Sequence, residues 1–515
     1  MNNTALPSAQ ATVDRTTVDR TTVDRTSTDR ERLTGLSMTE WASAMREGRL
    51  TAAECLELHL ERIAEENPRL HAIVTLNPLA AEEAAAADRA AADGKPLGPL
   101  HGVPFTVKDT LATKGLRTTA GSPLLGDYVP EQSATAVQRL QEAGAVLLGK
   151  TNCSEFAVET HTRNPLFGDT WNPWDTRLTS GGSTGGDSAA VASGMSAFGL
   201  GTDFGGSIRW PAHCTGLASL RPTVGLVPET GLLPYVPPAA GESLPAPNSM
   251  SALHRLGTVA WLARSVEDLG VLLGILAGPD GVDPSTVPVP LGGPVGSLAG
   301  ISCAWFEDEG THPVRDDLVA AVRRAAEALE GLGVPMQHGR PPGLERAAAA
   351  FVALRTAEGM PEVVELATGR EDELGANLRD SVLGGEPSTV ADYRKAAAER
   401  DAIRAEVLGF MAERNILLLP VASLPASDPR TGTFTVGGKD IPWTELGSCC
   451  RAISILGFPV AVVPCGLSSE GLPVGVQVVG RPYRDREVLA VAAALEREFG
   501  RFSPPPPRSR PASAD

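Results

Sequence analysis

Apolar residues recur at three- and four-residue spacing behind two capping boxes near the start of the chain. Ser37-Met38-Thr39-Glu40 and Thr51-Ala52-Ala53-Glu54 each set a hydroxyl three residues ahead of a glutamate, the pattern that satisfies orphan amides at a helix start. The second opens a helix with Leu56, Leu60, Ile63 and Ala64 on one face, which Asn67-Pro68 is expected to stop. A strand is expected over His71 to Leu76, then an alanine-rich helix over 79–93 ended by Gly94. From about 100 to 230 short apolar runs (Phe105 to Val107, Val146 to Leu148, Ala197 to Leu200) alternate with Gly-, Thr- and Pro-rich loops. That alternation is what a buried sheet carrying functional loops produces. Residues 231–258 read as an irregular surface excursion. Amphipathic helices are expected over 314–331, with Val314, Leu318, Val322, Ala325 and Leu329 on one face, and over 389–414. Strands return at Ile416 to Leu419, Val460 to Val463 and Val474 to Val479, so similar elements flank a helical middle. One composite domain over 36–502 explains this better than two independent ones.

The ends differ in kind. Residues 12–26 repeat one Thr-Val-Asp-Arg-Thr pentapeptide three times, with almost nothing apolar to offset the cost of ordering, so 1–35 is expected to be a disordered tail. Residues 503–515, with Pro504 to Pro507, read as a second tail of polyproline character. The 515 residues carry 45 basic and 62 acidic side chains, a net charge of −17, which argues against a nucleic-acid footprint or an anionic membrane surface. Seven scattered cysteines suggest neither a disulfide framework nor a zinc site. With no secretory signal and no apolar run long enough to span a bilayer, the expected location is the cytoplasm.

Three stretches could carry chemistry. Gly144-Ala-Val-Leu-Leu-Gly149-Lys150-Thr151 satisfies a P-loop pattern letter for letter. Its inner residues are strand-like, however, and they follow a helix over 133–143 rather than a strand, so it is not a phosphate cradle. His161 and His213 have no partners at metal-ligand spacing, and no metal is expected. The second stretch is Ser180-Gly181-Gly182-Ser183-Thr184-Gly185-Gly186. The third is Gly201-Thr202-Asp203-Phe204-Gly205-Gly206-Ser207-Ile208-Arg209. Glycines beside a serine free the backbone and let a carbonyl approach its N–H groups, as an oxyanion hole requires. A nucleophilic serine needs a base. Position 209 is Arg209, so there is no Gly-x-Ser-x-Gly elbow at Ser207, and His213 six residues on is an awkward base. Lys108, ending the apolar run Pro104 to Val107, is the alternative, since desolvation would disfavour its ammonium form.

These motifs, with His101 to Asp109, Gly149 to Asn152, Leu220 to Gly225, Ala263 to Asp268 and Gly471 to Gln477, resemble those of the amidase-signature family over most of 37–500. The resemblance implies an α/β fold, a single large domain with a mixed β-sheet flanked by α-helices. It implies a cofactor-independent amidase with Ser207 as nucleophile, Ser183 as relay through a cis peptide to Gly182, and Lys108 as base. The backbone amides of Phe204, Gly205, Gly206 and Ser207 would hold the oxyanion, while Asp203, Arg209 and Thr184 would brace the loops. Three departures stand out: Thr184 and Ser180 replace the commoner serine and proline, and Val259 to Leu262 replaces a Gly-Pro segment.

The partner implied is a small-molecule amide, with no nucleic acid and no membrane, and a homodimer is the default assembly. The competing readings are the amide-transferring subunit of a tRNA-dependent amidotransferase and a non-catalytic binder on the same fold. Phe204, Trp210 and Tyr235 suggest a pocket for an aromatic or extended apolar group. Its walls are sought in Gly121 to Val129, His161 to Phe167 and the 231–255 excursion, with Cys449 and Cys450 as further candidates.

Overall fold

A computed structural model describes residues 34–292, 297–384 and 388–503. Eleven strands form one central sheet. In chain order they are β1 (Ile73–Leu76), β2 (Pro104–Lys108), β3 (Val146–Thr151), β4 (Phe198–Thr202), β5 (Ala218–Arg221), β6 (Val259–Ala263), β7 (Cys303–Trp305), β8 (Met336–His338), β9 (Ile416–Pro420), β10 (Val460–Leu467) and β11 (Pro473–Gly480). Their spatial order is β1-β3-β2-β4-β6-β5-β10-β11-β9-β7-β8. The sheet is mixed: β3, β2 and β4 run parallel to one another, as do β9, β7 and β8, while the strands between these groups pair antiparallel. Every residue of β2, β3, β4 and β6 is buried, as expected of central strands covered by helices on both faces. Phe105 and Phe198, opposite each other in register, stack with ring centroids 5.2 Å apart and fix β2 against β4.

The expected strands and helices are present with small shifts at their ends, and both capping boxes form. The stretch rejected as a phosphate cradle is β3, preceded by a helix over Thr135–Glu142. One expected boundary is wrong: the helix begun at Thr51 runs from Ala52 through Pro68 to Leu70. The Asn67 side chain makes this possible, because its Oδ1 accepts the N–H groups of Ala72 and Ile73 at 2.9 Å, and His71 turns the chain in the left-handed region. The 231–258 segment also departs from expectation, since Gly231 to Tyr235 are buried and Ala252–Leu256 is a helix. The two expected tails lie outside the described residues, apart from their inner few positions.

What this architecture does for chemistry is bring strand ends together. β2 and β4 are parallel neighbours, so Lys108 and Thr202 emerge at the same edge. The helix Gly185–Ala192 packs on both strands and holds the preceding serine-glycine loop over that edge. Ligands in open α/β sheets bind at such carboxyl ends.

Candidate active site

Lys108 is fully buried at the end of β2. Its Nζ donates to Ser183 Oγ and to Thr202 Oγ1, each at 2.7 Å. Burial pushes its pKa down to about 8, although the charges of Asp187 and Asp203 work to hold it up. Ser183 follows a cis peptide bond to Gly182. Its loop is tied down by Thr162, whose hydroxyl donates to the Gly181 carbonyl at 3.0 Å and accepts from the Gly185 N–H at 3.0 Å. A Cβ on Gly182 would come within 2.7–2.9 Å of the Glu159–His161 backbone, so no larger residue fits there.

Beneath the lysine lies Asp187, also fully buried. It accepts hydrogen bonds from Thr106 Oγ1 on β2 at 2.8 Å and from Thr151 Oγ1 on β3 at 2.7 Å. Burial raises its pKa to about 7, against the lowering effect of both hydroxyls and of Lys108 and Lys150. Asp187 thus joins the two lysine-bearing strands to the helix that follows Ser183.

The loop after β4 is built around an ion pair. Arg209 grips both oxygens of Asp203 at 2.9 Å and reaches the Cys450 carbonyl at 3.0 Å and Gln477 Oε1 at 2.8 Å. Asp203 also accepts the N–H groups of Gly206 and Ile208 at 3.0 and 3.2 Å. Burial alone would raise the Asp203 pKa, but Arg209 and Arg221 hold it at about 2. Breaking a buried pair of this kind costs on the order of 3–5 kcal/mol. The loop closes on its neighbour through the Thr184 N–H, which donates to the Ser207 carbonyl at 3.1 Å, while Thr184 Oγ1 donates to the Thr202 carbonyl.

Ser207 is half-buried and lines a cavity of about 230 Å³ together with Gly182, Thr202, Phe204, Gly205 and Gly206. Gly206 sits at φ 118°, and a Cβ there would meet the Cβ of Cys450 at 2.6 Å. Of the four amides expected to hold an oxyanion, that of Gly206 is already given to Asp203. His213 is not available as a base: its Nδ1 accepts from the Gly475 N–H at 3.0 Å and its Nε2 faces the Leu424 carbonyl at 3.2 Å. Burial pushes it down to about 4, so it is a neutral packing residue. Among the described residues no His, Cys, Asp or Glu group could hold a metal ion.

The family model for amidases matches residues 54–489. The chain belongs to the amidase-signature family. The protein is 36% identical to an indoleacetamide hydrolase of Bradyrhizobium diazoefficiens, over 90% of this chain and 86% of that one. It is equally 36% identical to a glutamyl-tRNA(Gln) amidotransferase subunit of Chloroflexus aurantiacus, over 90% and 96%. Among solved structures, a peptide amidase complexed with chymostatin matches with TM-score 0.76 and 26% identity, covering 91% of this chain and 98% of that one.

In this amidase-family chain the expected pocket residues Phe204 and Trp210 do line the cavity. Tyr235 does not: it is buried behind Pro234, with its hydroxyl 3.3 Å from that of Tyr128. The loops 121–129 and 161–167 do not line it either, because they pack on each other, Gly121 lying against Asn164. Cys449 and Cys450 stay behind the wall, and all seven cysteines are free and buried. The expected 231–255 excursion does line it, through Leu232, Leu233, Pro234, Ser251 and Leu253, and the rest of the wall takes in Phe156 to Thr160 and the Phe351 and Arg355 side of the helix Leu344–Glu358. Sequence reasoning missed Phe156 to Thr160 and that helix face, and it missed Thr202 as a partner of Lys108 although that residue lies within the motif. The arrangement offers a desolvated amine, two hydroxyls in its reach and a serine at the edge of a mostly apolar cavity, which suits acyl transfer.

Proposed function

We propose that this protein hydrolyses a small-molecule carboxamide through an acyl-enzyme on Ser207. The observation that carries the reading is the buried Lys108–Ser183 hydrogen bond of 2.7 Å beside a cavity that Ser207 lines. Ser207 Oγ attacks the amide carbon, and its proton passes by way of Ser183 to the neutral Lys108 amine. The amides of Phe204, Gly205 and Ser207 receive the developing oxyanion, while Gly206, held by Asp203, keeps the loop in shape. The C–N bond then breaks, the proton returns by the same path to the leaving nitrogen, and ammonia or an amine departs. Water attacks the ester in a second cycle of the same transfers and releases the carboxylate and Ser207. The chain's own side chains suffice for each step, and the cycle uses no cofactor or metal. The same reading has the enzyme acting in the cytoplasm as a homodimer, without nucleic acid.

The likeness to the amidotransferase subunit supplies the other reading, in which the amide is glutamine and ammonia passes to a partner. The largely apolar cavity favours an aryl or alkyl body on the substrate. Labelling the purified chain with a fluorophosphonate, followed by ammonia release from a panel of amides including glutamine, separates the two. Labelling abolished in Ser207→Ala and turnover of aryl or alkyl amides are expected. Turnover of glutamine alone would favour the transfer subunit, and absence of labelling would favour a non-catalytic binder.

A further inference from the structure

The helix Leu344–Glu358 lays one face along the cavity: Phe351, Val352, Arg355 and Glu358 follow at i, i+1, i+4 and i+7. Phe351 fixes its position against the catalytic loop. Its ring lies 4.8 Å from that of Phe204, and a Cβ on Gly205 would come 3.0 Å from Phe351 Cζ. The same Cβ position is 3.8 Å from Arg451 Cγ. Arg355, one helical turn from Phe351, therefore stands roughly 6 Å along the helix from the wall beside Ser207. Two guanidinium groups, Arg355 and Arg451, line this end of the cavity.

Their charges are balanced unequally. Arg451 is paired with Glu445 at 2.8 Å and also reaches the Thr444 carbonyl. Among the described residues Arg355 donates one hydrogen bond, to the Ser381 hydroxyl at 3.3 Å. Glu358 lies one turn further on, but its carboxylate accepts the Ala252 N–H at 2.7 Å and forms no ion pair with Arg355. Of the other carboxylates lining the cavity, Asp203 is gripped by Arg209 and Glu159 pairs with Arg163 at 3.4 Å, while Glu362 lies near His254. Burial and the neighbouring Arg451 charge both disfavour the Arg355 guanidinium. Among the described residues this half-buried cation therefore has a hydroxyl and no carboxylate beside it.

We propose that Arg355 is an anion-binding residue of the active-site pocket and that the substrate is an amide bearing a carboxylate, held a few bonds from the scissile C–N bond. This rests on the amidase reading and names its substrate class. A guanidinium fork suits a carboxylate, which it can hold through two parallel N–H bonds.

The test uses pairs of aryl and alkyl amides that differ in one group, a free carboxylate in one and its methyl ester in the other. Binding is read by thermal shift on Ser207→Ala and on Ser207→Ala/Arg355→Gln, and turnover on wild type, Arg355→Gln and Arg355→Lys. The preference for carboxylate over ester is expected to fall about ten-fold or more in Arg355→Gln, in KM and in binding, with part of it kept in Arg355→Lys. No preference in wild type, or a preference that survives Arg355→Gln, would overturn the proposal. A purely structural role for Arg355 would weaken both members of each pair alike and leave the ratio unmoved, which also overturns it. Failure of the amidase reading shows differently: wild type would turn over no amide, while the binding ratio on Ser207→Ala still reports on Arg355.

Discussion

The ends of β2 and β3 carry two lysines that sequence and burial alone do not tell apart. Lys108 and Lys150 lie on paired strands one register step from each other, both fully buried, and burial brings both to about 8. Their partners differ. Lys150 donates to the Leu111 carbonyl and to Thr113 Oγ1 at 2.9 Å, and the Thr113 hydroxyl spends its own hydrogen on Leu111. To donate to a neutral amine the Thr113 hydroxyl would have to give up its bond to the Leu111 carbonyl, and the charge of Asp109 favours the ammonium. Lys108 faces the hydroxyls of Ser183 and Thr202, which accept from an ammonium and can rotate to donate to an amine. Burial makes a lysine ready to lose its proton, but only reversible partners let it do so without orphaning a hydrogen bond.

The largest effect that tests this contrast is the pair Lys108→Met and Lys150→Met. Lys108→Met should lose about 10²–10⁴ in kcat while melting close to wild type. Lys150→Met should instead lose stability, by about 1–3 kcal/mol, because its bonds to the Leu111 carbonyl and Thr113 go and Asp109 loses a nearby positive charge. Thermal melts and turnover on one amide check both. Equal losses of activity at equal stability would break the distinction.

A smaller effect comes from the hydroxyls. Thr202→Val keeps the shape but leaves the Lys108 amine one partner short, and kcat is expected to drop about ten-fold. Thr113→Val should cost about 1 kcal/mol of stability, with kcat within two-fold or so of wild type. Steady-state kinetics beside a denaturant melt reads both. A larger kcat loss in Thr113→Val would mean that Lys150, not Lys108, is the group that exchanges protons.

What the sequence could and could not disclose follows the range of the interactions. Capping boxes, buried strands and the glycine-serine loops are local, and they were readable because each depends on residues within a few positions of one another. Lys108 was readable as a strand-end lysine for the same reason. Its pairing with Thr202 was not, since it needs β2 beside β4, a fact of topology. Helix Leu344–Glu358 shows no signal in its own residues for reaching the cavity, and it gets there by packing on the helix Val390–Phe410 and on Ser448–Ser454. Pro68 misled for a related reason: the side chain of Asn67 supplies what the helix end lacks, and that is not a rule about proline.

The smallest effect concerns Asp187, which bridges the two strands through Thr106 and Thr151. Its negative charge favours the ammonium form of Lys108, so removing it should lower the Lys108 pKa below about 8. Because Lys108 acts as a neutral base, the acid limb of kcat/KM then moves toward lower pH in Asp187→Asn, by up to about one unit. Wild type should also show a broadened limb, since Asp187 itself titrates near 7 and strengthens its hold on Lys108 as the pH rises. The rate of fluorophosphonate labelling against pH reads this without a known substrate. Stability offers an independent check. The folded pKa of Asp187 lies above its ordinary 3.8, so its contribution is present in full below that value and lost as pH rises through about 7. Asp187→Asn should therefore melt with a shallower decline across that window. A labelling limb that stays in place while the melting profile flattens would separate Asp187 from the base, and leave it as a strut between the two lysine-bearing strands.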